Sequence, residues 1–129
     1  MTTKGVFISF DYDHDKDLRG NLVAQAKNPE SPFNIADSSV QHRIDENWRK
    51  EVRERIRGAD LTIVICGEHT HDAPGVAAEI TIAREERKPY FLLKGRRRKT
   101  CTKPRMALRT DEMHGWTWEN LRRLIAGAA

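Results

Sequence analysis

The sequence predicts an α/β domain built on a parallel sheet, and three observations carry that expectation. The first is Leu61-Thr62-Ile63-Val64-Ile65-Cys66, a continuous and largely apolar run between turn signals. Such a run reads as a strand buried on both faces. The second is the alternation of short apolar runs with stretches of helical period, joined by short polar connections. Connections of that kind are right-handed βαβ crossovers, which place helices on both faces of a parallel sheet. The third is size: 129 residues form one domain, 1–129, able to bury a core without staples.

Each element follows from its own residues. Gly5-Val6-Phe7-Ile8-Ser9-Phe10 is the first strand, and the acidic loop Asp11-Tyr12-Asp13-His14-Asp15 follows it. The first helix places Leu18, Leu22, Val23 and Ala26 on one face, with acids ahead of it that suit a helix start. Asn28-Pro29-Glu30-Ser31-Pro32 breaks the chain, and Phe33-Asn34-Ile35-Ala36 is a short second strand. A polar connection from Ser38 or Ser39 leads to a helix that repeats Ile44, Trp48, Val52 and Ile56 at every fourth residue. Glu46 with Lys50, and Glu51 with Arg55, form i,i+4 pairs on that helix, and Gly58 closes it. Leu61–Cys66 is the third strand, and Val76 to Arg87 the helix after it. Pro89-Tyr90-Phe91-Leu92-Leu93 is the fourth strand, with proline at its first residue, where a ladder donor is dispensable. Met113 to Trp116 is the fifth strand, and a last helix near Thr117 to Ala126 uses Trp118, Leu121, Leu124 and Ile125. The strand order expected of this alternation is 2-1-3-4-5, the flavodoxin-like three-layer order.

Composition excludes several classes. Charged residues make up 33% and aromatic residues 7% of the chain, as in a well-solvated surface. No apolar stretch approaches the ~20 residues needed to cross a bilayer, and Met1-Thr2-Thr3-Lys4 opens straight into a strand. A cytoplasmic location is therefore expected, without contact to a membrane. Cys66 ends a buried strand and Cys101 lies in a basic loop, an arrangement of reduced thiols rather than a disulfide framework. The net charge of +4 points to nucleic acid only if it is concentrated.

The candidate functional group is Glu79. The helix that follows a buried strand begins at the carboxyl edge of the sheet, where open α/β folds bind ligands. At 100° per residue Glu79 falls inside the arc marked by Val76, Ile80, Ala83 and Ile82. From these residues two readings stay open: a ligand-facing carboxylate, or an acid that the macrodipole favours in a first turn. Three familiar tenants of the fold fail on their required residues. A flavin-phosphate loop is excluded by Asp11, Asp13, Asp15 and Asp17, which would repel a phosphate. No Gly-x-Gly-x-x-Gly follows any strand, which excludes a dinucleotide fingerprint. A phospho-receiver needs an aspartate where this chain has Ile65-Cys66-Gly67.

One resemblance covers nearly the whole chain. Its pieces are Val6-Phe7-Ile8-Ser9-Phe10-Asp11-Tyr12, then Asp37-Ser38-Ser39, then Asp60 through Thr70, then Val76-Ala77-Ala78-Glu79-Ile80 leading to Ala83 and Lys88-Pro89. Trp116-Thr117-Trp118-Glu119-Asn120-Leu121 closes the series. In this order and spacing they resemble the bacterial TIR-like domains of the Thoeris antiphage type, within the Toll/interleukin-1 receptor superfamily. The resemblance implies a TIR-like flavodoxin fold and, in catalytic members, cleavage of NAD at the nicotinamide N-glycosidic bond. It places the catalytic glutamate on Glu79, which favours the functional reading of that residue. It also implies a cyclic ADP-ribose-type signal that reaches a separate effector protein. NAD is then the substrate, and no cofactor or metal is expected. The opposite wall of the cleft is expected from Ser9, Phe10, Asp11 and Tyr12, with Tyr12 stacking on a base and Asp37 and Ser38 at the same edge. Members carry Ser-x-Trp-Val before the helix, whereas this chain has Ala73-Pro74-Gly75-Val76 and lacks that apolar wall. The alternative implied by the same resemblance is a non-catalytic TIR-like module acting by self-association.

Other clusters have plainer readings. His69, His71 and Asp72 share one short turn without the spacing of a metal site. Gly95-Arg96-Arg97-Arg98-Lys99, with Lys103 and Arg105, reads as a solvated basic loop, with a partner or the NAD pyrophosphate as its next use. No aromatic residues interleave these arginines, so nucleic acid is not the expected partner. Trp48 and Trp118 sit in apolar stripes and are expected in the core.

Overall fold

In a computed structural model of the chain, which describes residues 3–39 and 44–128, five parallel strands form one sheet in the order β2-β1-β3-β4-β5. The strands are β1 (Lys4–Ser9), β2 (Phe33–Ser38), β3 (Leu61–Cys66), β4 (Tyr90–Lys94) and β5 (Met113–Gly115). The helices are α1 (Lys16–Ala26), α2 (Glu46–Arg57), α3 (Pro74–Glu85) and α4 (Trp118–Gly127), with a short 3₁₀ turn at Thr70–Asp72. Fold class and strand order are those that the sequence predicts. Boundaries differ by one or two residues at most ends, and β2 runs on to Ser38 where the sequence reading stops at Ala36. Part of the polar connection expected after Ser38 falls on residues 40–43, outside the described residues.

Strand periodicity sorts the core into two layers. Val6 and Ile8 of β1 and Leu61, Ile63 and Ile65 of β3 pack with Leu18 and Leu22 of α1 and Leu121 and Ile125 of α4. The opposite face meets α2 and α3: Phe7 packs with Trp48, Val52, Ile56, Ala78 and Ile82. Val64 and Cys66 pack with Val76 and Ile80 of α3. β3 lies between β1 and β4, and all six of its residues are buried. The helix starts are specified locally. Asp45 caps α2 by accepting from Trp48 N at 2.8 Å, and Thr117 caps α4 by accepting from Asn120 N at 3.0 Å. α3 begins instead with proline at its first position, where no amide donor is required.

One irregularity in the sheet matters for the site. β1 and β2 pair in register from Lys4 with Phe33 to Val6 with Ile35, but Phe7 then pairs with Asp37 and Ile8 with Ser38. Ala36 is the extra residue of a β-bulge, and from that point every side chain of β2 changes face.

Beyond the sheet's carboxyl edge a glycine is required by close approach. A Cβ on Gly67 would lie 2.3 Å from Asp15 Oδ2, and the Asp15 side chain cannot move away because it is held in place and only 1% exposed. Gly20, in the middle of α1, has nothing within 4 Å of an added Cβ. The two glycines therefore respond oppositely to alanine. Gly67→Ala is expected to lower the melting temperature by many degrees. Gly20→Ala gains about 0.5–1 kcal/mol of helix stability, a rise of a few degrees. Thermal unfolding followed by circular dichroism measures both.

Candidate functional site

Glu79 is wholly buried, on the first turns of α3 against the carboxyl ends of β1 and β2. Its Oε1 accepts two hydrogen bonds, from Ser9 Oγ at 2.7 Å and from Ser39 Oγ at 2.6 Å. Its Oε2 is buried and has no partner among the described residues. Burial raises the carboxyl pKa to about 7, and the two serine hydrogen bonds only partly oppose that rise. Burial thus makes this carboxyl easier to protonate than a free one, with one oxygen fixed and the other without a partner among the described residues.

Ser39 is not among the residues that the sequence points to at this edge, which are Asp37 and Ser38. The bulge at Ala36 is the reason. Without it Ser38 would stand beside Ser9 on the α3 face; with it Ser39 does, and Ser39 N extends the ladder to Ile8 O at 2.8 Å. Ser38 turns to the α1 face, where its Oγ accepts from Arg19 Nε at 3.0 Å. Asp37 turns to α2 and pairs with Arg55 at 3.2 Å. Neither Asp37 nor Ser38 lines the cavity over Glu79. Nothing local in the sequence announces a bulge; only the run of three polar residues, Asp37-Ser38-Ser39, left the choice open.

Above Glu79 lies a cavity of about 410 Å³. Phe10, Asp11 and Tyr12 line it, as the sequence reading placed them, and Ser9 stands behind Glu79 rather than in the wall. Tyr12 is tilted against Phe10 with ring centroids 5.8 Å apart, and Lys16 Nζ sits 4.4 Å above its ring. One face of Tyr12 is thus already used by a cation. Trp48, expected only as core, is buried yet also lines the cavity. It stands beside Gly75, where an added Cβ would meet only Trp48 Cζ2, at 4.0 Å. An aromatic wall missing from α3 is therefore supplied from α2.

Two loops meet across the mouth. His14, after β1, stacks on His69, after β3, with centroids 4.1 Å apart. His14 Nδ1 lies 2.7 Å from Asp11 Oδ2, a hydrogen bond that raises the histidine pKa. The described lining residues include four carboxylates, Asp11, Asp13, Asp72 and Glu79, and no lysine or arginine. The stacked pair also borders a second cavity of about 260 Å³ that carries Arg96 and Lys99. Among the described residues no cluster of three or more His, Cys, Asp or Glu is placed to hold a metal.

The basic loop is not uniform. Arg97, Arg98 and Lys99 are exposed, as a solvated loop should be. Arg96 is different: its guanidinium donates to Asp15 Oδ1 at 3.1 Å, to both oxygens of Asp17 at 3.0 and 2.9 Å, and to His14 O. It ties the loop after β4 to the loop after β1 and compensates a carboxylate that burial pushes toward protonation. Replacing all three arginines, which the sequence reading treats as a surface change, is thus expected to divide. Arg97→Ser and Arg98→Ser should each stay within about 0.5 kcal/mol of the parent. Arg96→Ser leaves Asp15 buried and unpaired, at about 3 kcal/mol. Because a buried acid with a raised pKa costs most when ionised, that loss grows as pH rises. Urea unfolding at pH 5 and pH 8 tests both points.

The family model described as "Thoeris protein ThsB, TIR-like domain" matches residues 7–99. Among solved structures, the chain is similar to a prokaryotic SEFIR domain, with a TM-score of 0.54 and 17% identity. That likeness covers 96% of this chain and 88% of the other, and at such identity it speaks for the fold. No curated protein matches the chain. No helix among the described residues is long and apolar enough to cross a membrane.

Proposed function

Since the chain belongs to the family of TIR-like domains of the Thoeris protein ThsB, we propose that it cleaves NAD at the nicotinamide glycosidic bond, with Glu79 as the catalytic carboxylate. The observation that carries this reading is the state of Glu79: fully buried, one oxygen clamped by Ser9 and Ser39, the other without a partner among the described residues, beneath an open cavity.

The chemistry needs little else. The pyridinium of NAD is a cationic leaving group, so the bond breaks with its electron pair passing to the ring nitrogen and no general acid is required. Positive charge then develops on the ribose as an oxocarbenium ion, and a fixed carboxylate stabilises it electrostatically. The two serines matter because a carboxylate already oriented has no reorganisation to undergo as the charge appears. The four carboxylates among the described lining residues, with no lysine or arginine beside them, suit a cationic ring rather than a phosphate. The pyrophosphate would lie toward the basic loop past His14 and His69, where exposed Lys99 stands; Arg96 there is already held by Asp15 and Asp17. Water as acceptor gives ADP-ribose. An internal nucleophile of the same molecule gives a cyclic ADP-ribose-type product, a second messenger able to reach a separate effector protein in antiphage defence.

The test is nicotinamide release from NAD by the purified protein and by its Glu79→Gln variant. The amide keeps the shape and one acceptor oxygen but removes the charge, and the rate should fall by a factor of about 10² to 10³. A folded variant that turns over at the parental rate would transfer the function to a non-catalytic interaction module. Because only the ionised carboxylate stabilises the cation, the rate should rise with pH along a single-proton limb centred near pH 7.

The same substitution has a stability signature with a defined sign. The folded-state pKa of Glu79 is raised from 4.5 to about 7, so the native state holds the proton more tightly than the unfolded chain. Stability therefore falls as pH rises between those two values, and the full penalty is present above pH 7. A shift of that size corresponds to about 3 kcal/mol. Glu79→Gln should match the parent near pH 4.5 and exceed it at pH 8, a divergence that paired melting curves would reveal.

A further inference from the structure

The described residues contain four buried polar side-chain atoms without a partner: Asp15 Oδ2, Trp48 Nε1, Thr62 Oγ1 and Glu79 Oε2. Two of the four belong to residues lining the one cavity of the candidate site, Trp48 and Glu79. One is a donor and the other an acceptor. A buried indole N–H left unpaired is disfavoured, and tryptophan in a protein interior normally finds a partner. Here α2 places Trp48 in one core cluster with Phe7 and Val52, while it also lines the cavity. Gly75, at the second position of α3, leaves the space beside the indole clear of side chain.

We propose that Trp48 is the specificity-determining residue of this cleft: its indole is the wall for a planar ring of the substrate, and its Nε1–H donates to an acceptor carried by that ring. Under the reading above, which this inference rests on, the ring is the nicotinamide and the acceptor its carboxamide oxygen. The two orphaned atoms then divide the substrate between them. Trp48 takes the leaving group, and Glu79 Oε2 faces the ribose that the leaving group departs from. Tyr12 is less suited to this role because Lys16 already covers one face of its ring. The aromatic wall and the hydrogen bond are separable, since phenylalanine keeps most of the first and removes the second.

The experiment uses NAD and an NAD analogue whose pyridinium lacks the carboxamide, titrated calorimetrically into two proteins whose turnover is slowed by a factor of about 10² to 10³. These are Glu79→Gln and the double variant Glu79→Gln, Trp48→Phe. The single variant should prefer NAD over the analogue by about tenfold, the equivalent of one hydrogen bond. The double variant should bind NAD about tenfold more weakly and lose that preference. Equal affinity of the two proteins for NAD overturns the role of Trp48 and leaves the glycosidase reading standing. No binding of NAD to either overturns that reading itself, and this inference with it. Should Trp48→Phe fail to fold, Gly75→Leu in the Glu79→Gln background puts a side chain into the same space, beside the Trp48 ring. It should weaken NAD binding at least tenfold at an unchanged melting temperature, and unchanged affinity would overturn the proposal.

Discussion

The candidate site depends on one buried oxygen. Oε1 of Glu79 accepts from a serine that ends β1 and from another just beyond β2, so a single atom fastens α3 to two neighbouring strands. A buried charge is tolerated only where such partners exist. The clamp therefore fixes the start of α3 over the sheet edge, and with it the floor of the cavity. Among the described residues the second oxygen has no partner, and an uncompensated buried acceptor is where a ligand gains most.

The clamp in turn depends on the bulge at Ala36. A parallel pair in simple register would bring Ser38 beside Ser9 and point Ser39 to the α1 layer. The extra residue reverses the faces of three polar side chains at once. Ser39 turns to Glu79, Ser38 to Arg19 and Asp37 to Arg55. Each finds a partner that suits it, so the bulge is satisfied on both sides of the sheet rather than only at the site. Bulges gather beside active sites for this purpose: they re-aim a side chain without moving the strand.

Around this centre the loops are held by charge rather than by apolar packing. Arg96 joins the loop after β4 to two aspartates near the start of α1, and the stacked His14 and His69 join the loops after β1 and β3. Both ties lie at the carboxyl edge, where the walls of a cleft must be rigid and yet remain polar. Trp48 is the exception. It belongs to the apolar layer under α2 and α3 and lines the cavity beside Gly75. One residue thus serves as core below and wall above.

The sequence by itself determined the fold class, the strand order, the identity of the buried strands and the inward placement of Glu79. These follow from periodicity and from alternation of elements, which are properties of neighbouring residues along one chain. It also determined that Phe10, Asp11 and Tyr12 stand at the sheet edge, because they follow a strand whose end is marked by the polar loop. Tertiary structure alone decided that Ser39 rather than Ser38 meets Glu79, that Arg96 is structural while Arg97 and Arg98 are not, and that Trp48 forms a wall. Each of these is a relation between segments far apart in the chain. Register, face and partner are settled when two elements pack, and a one-residue bulge is enough to reverse all three.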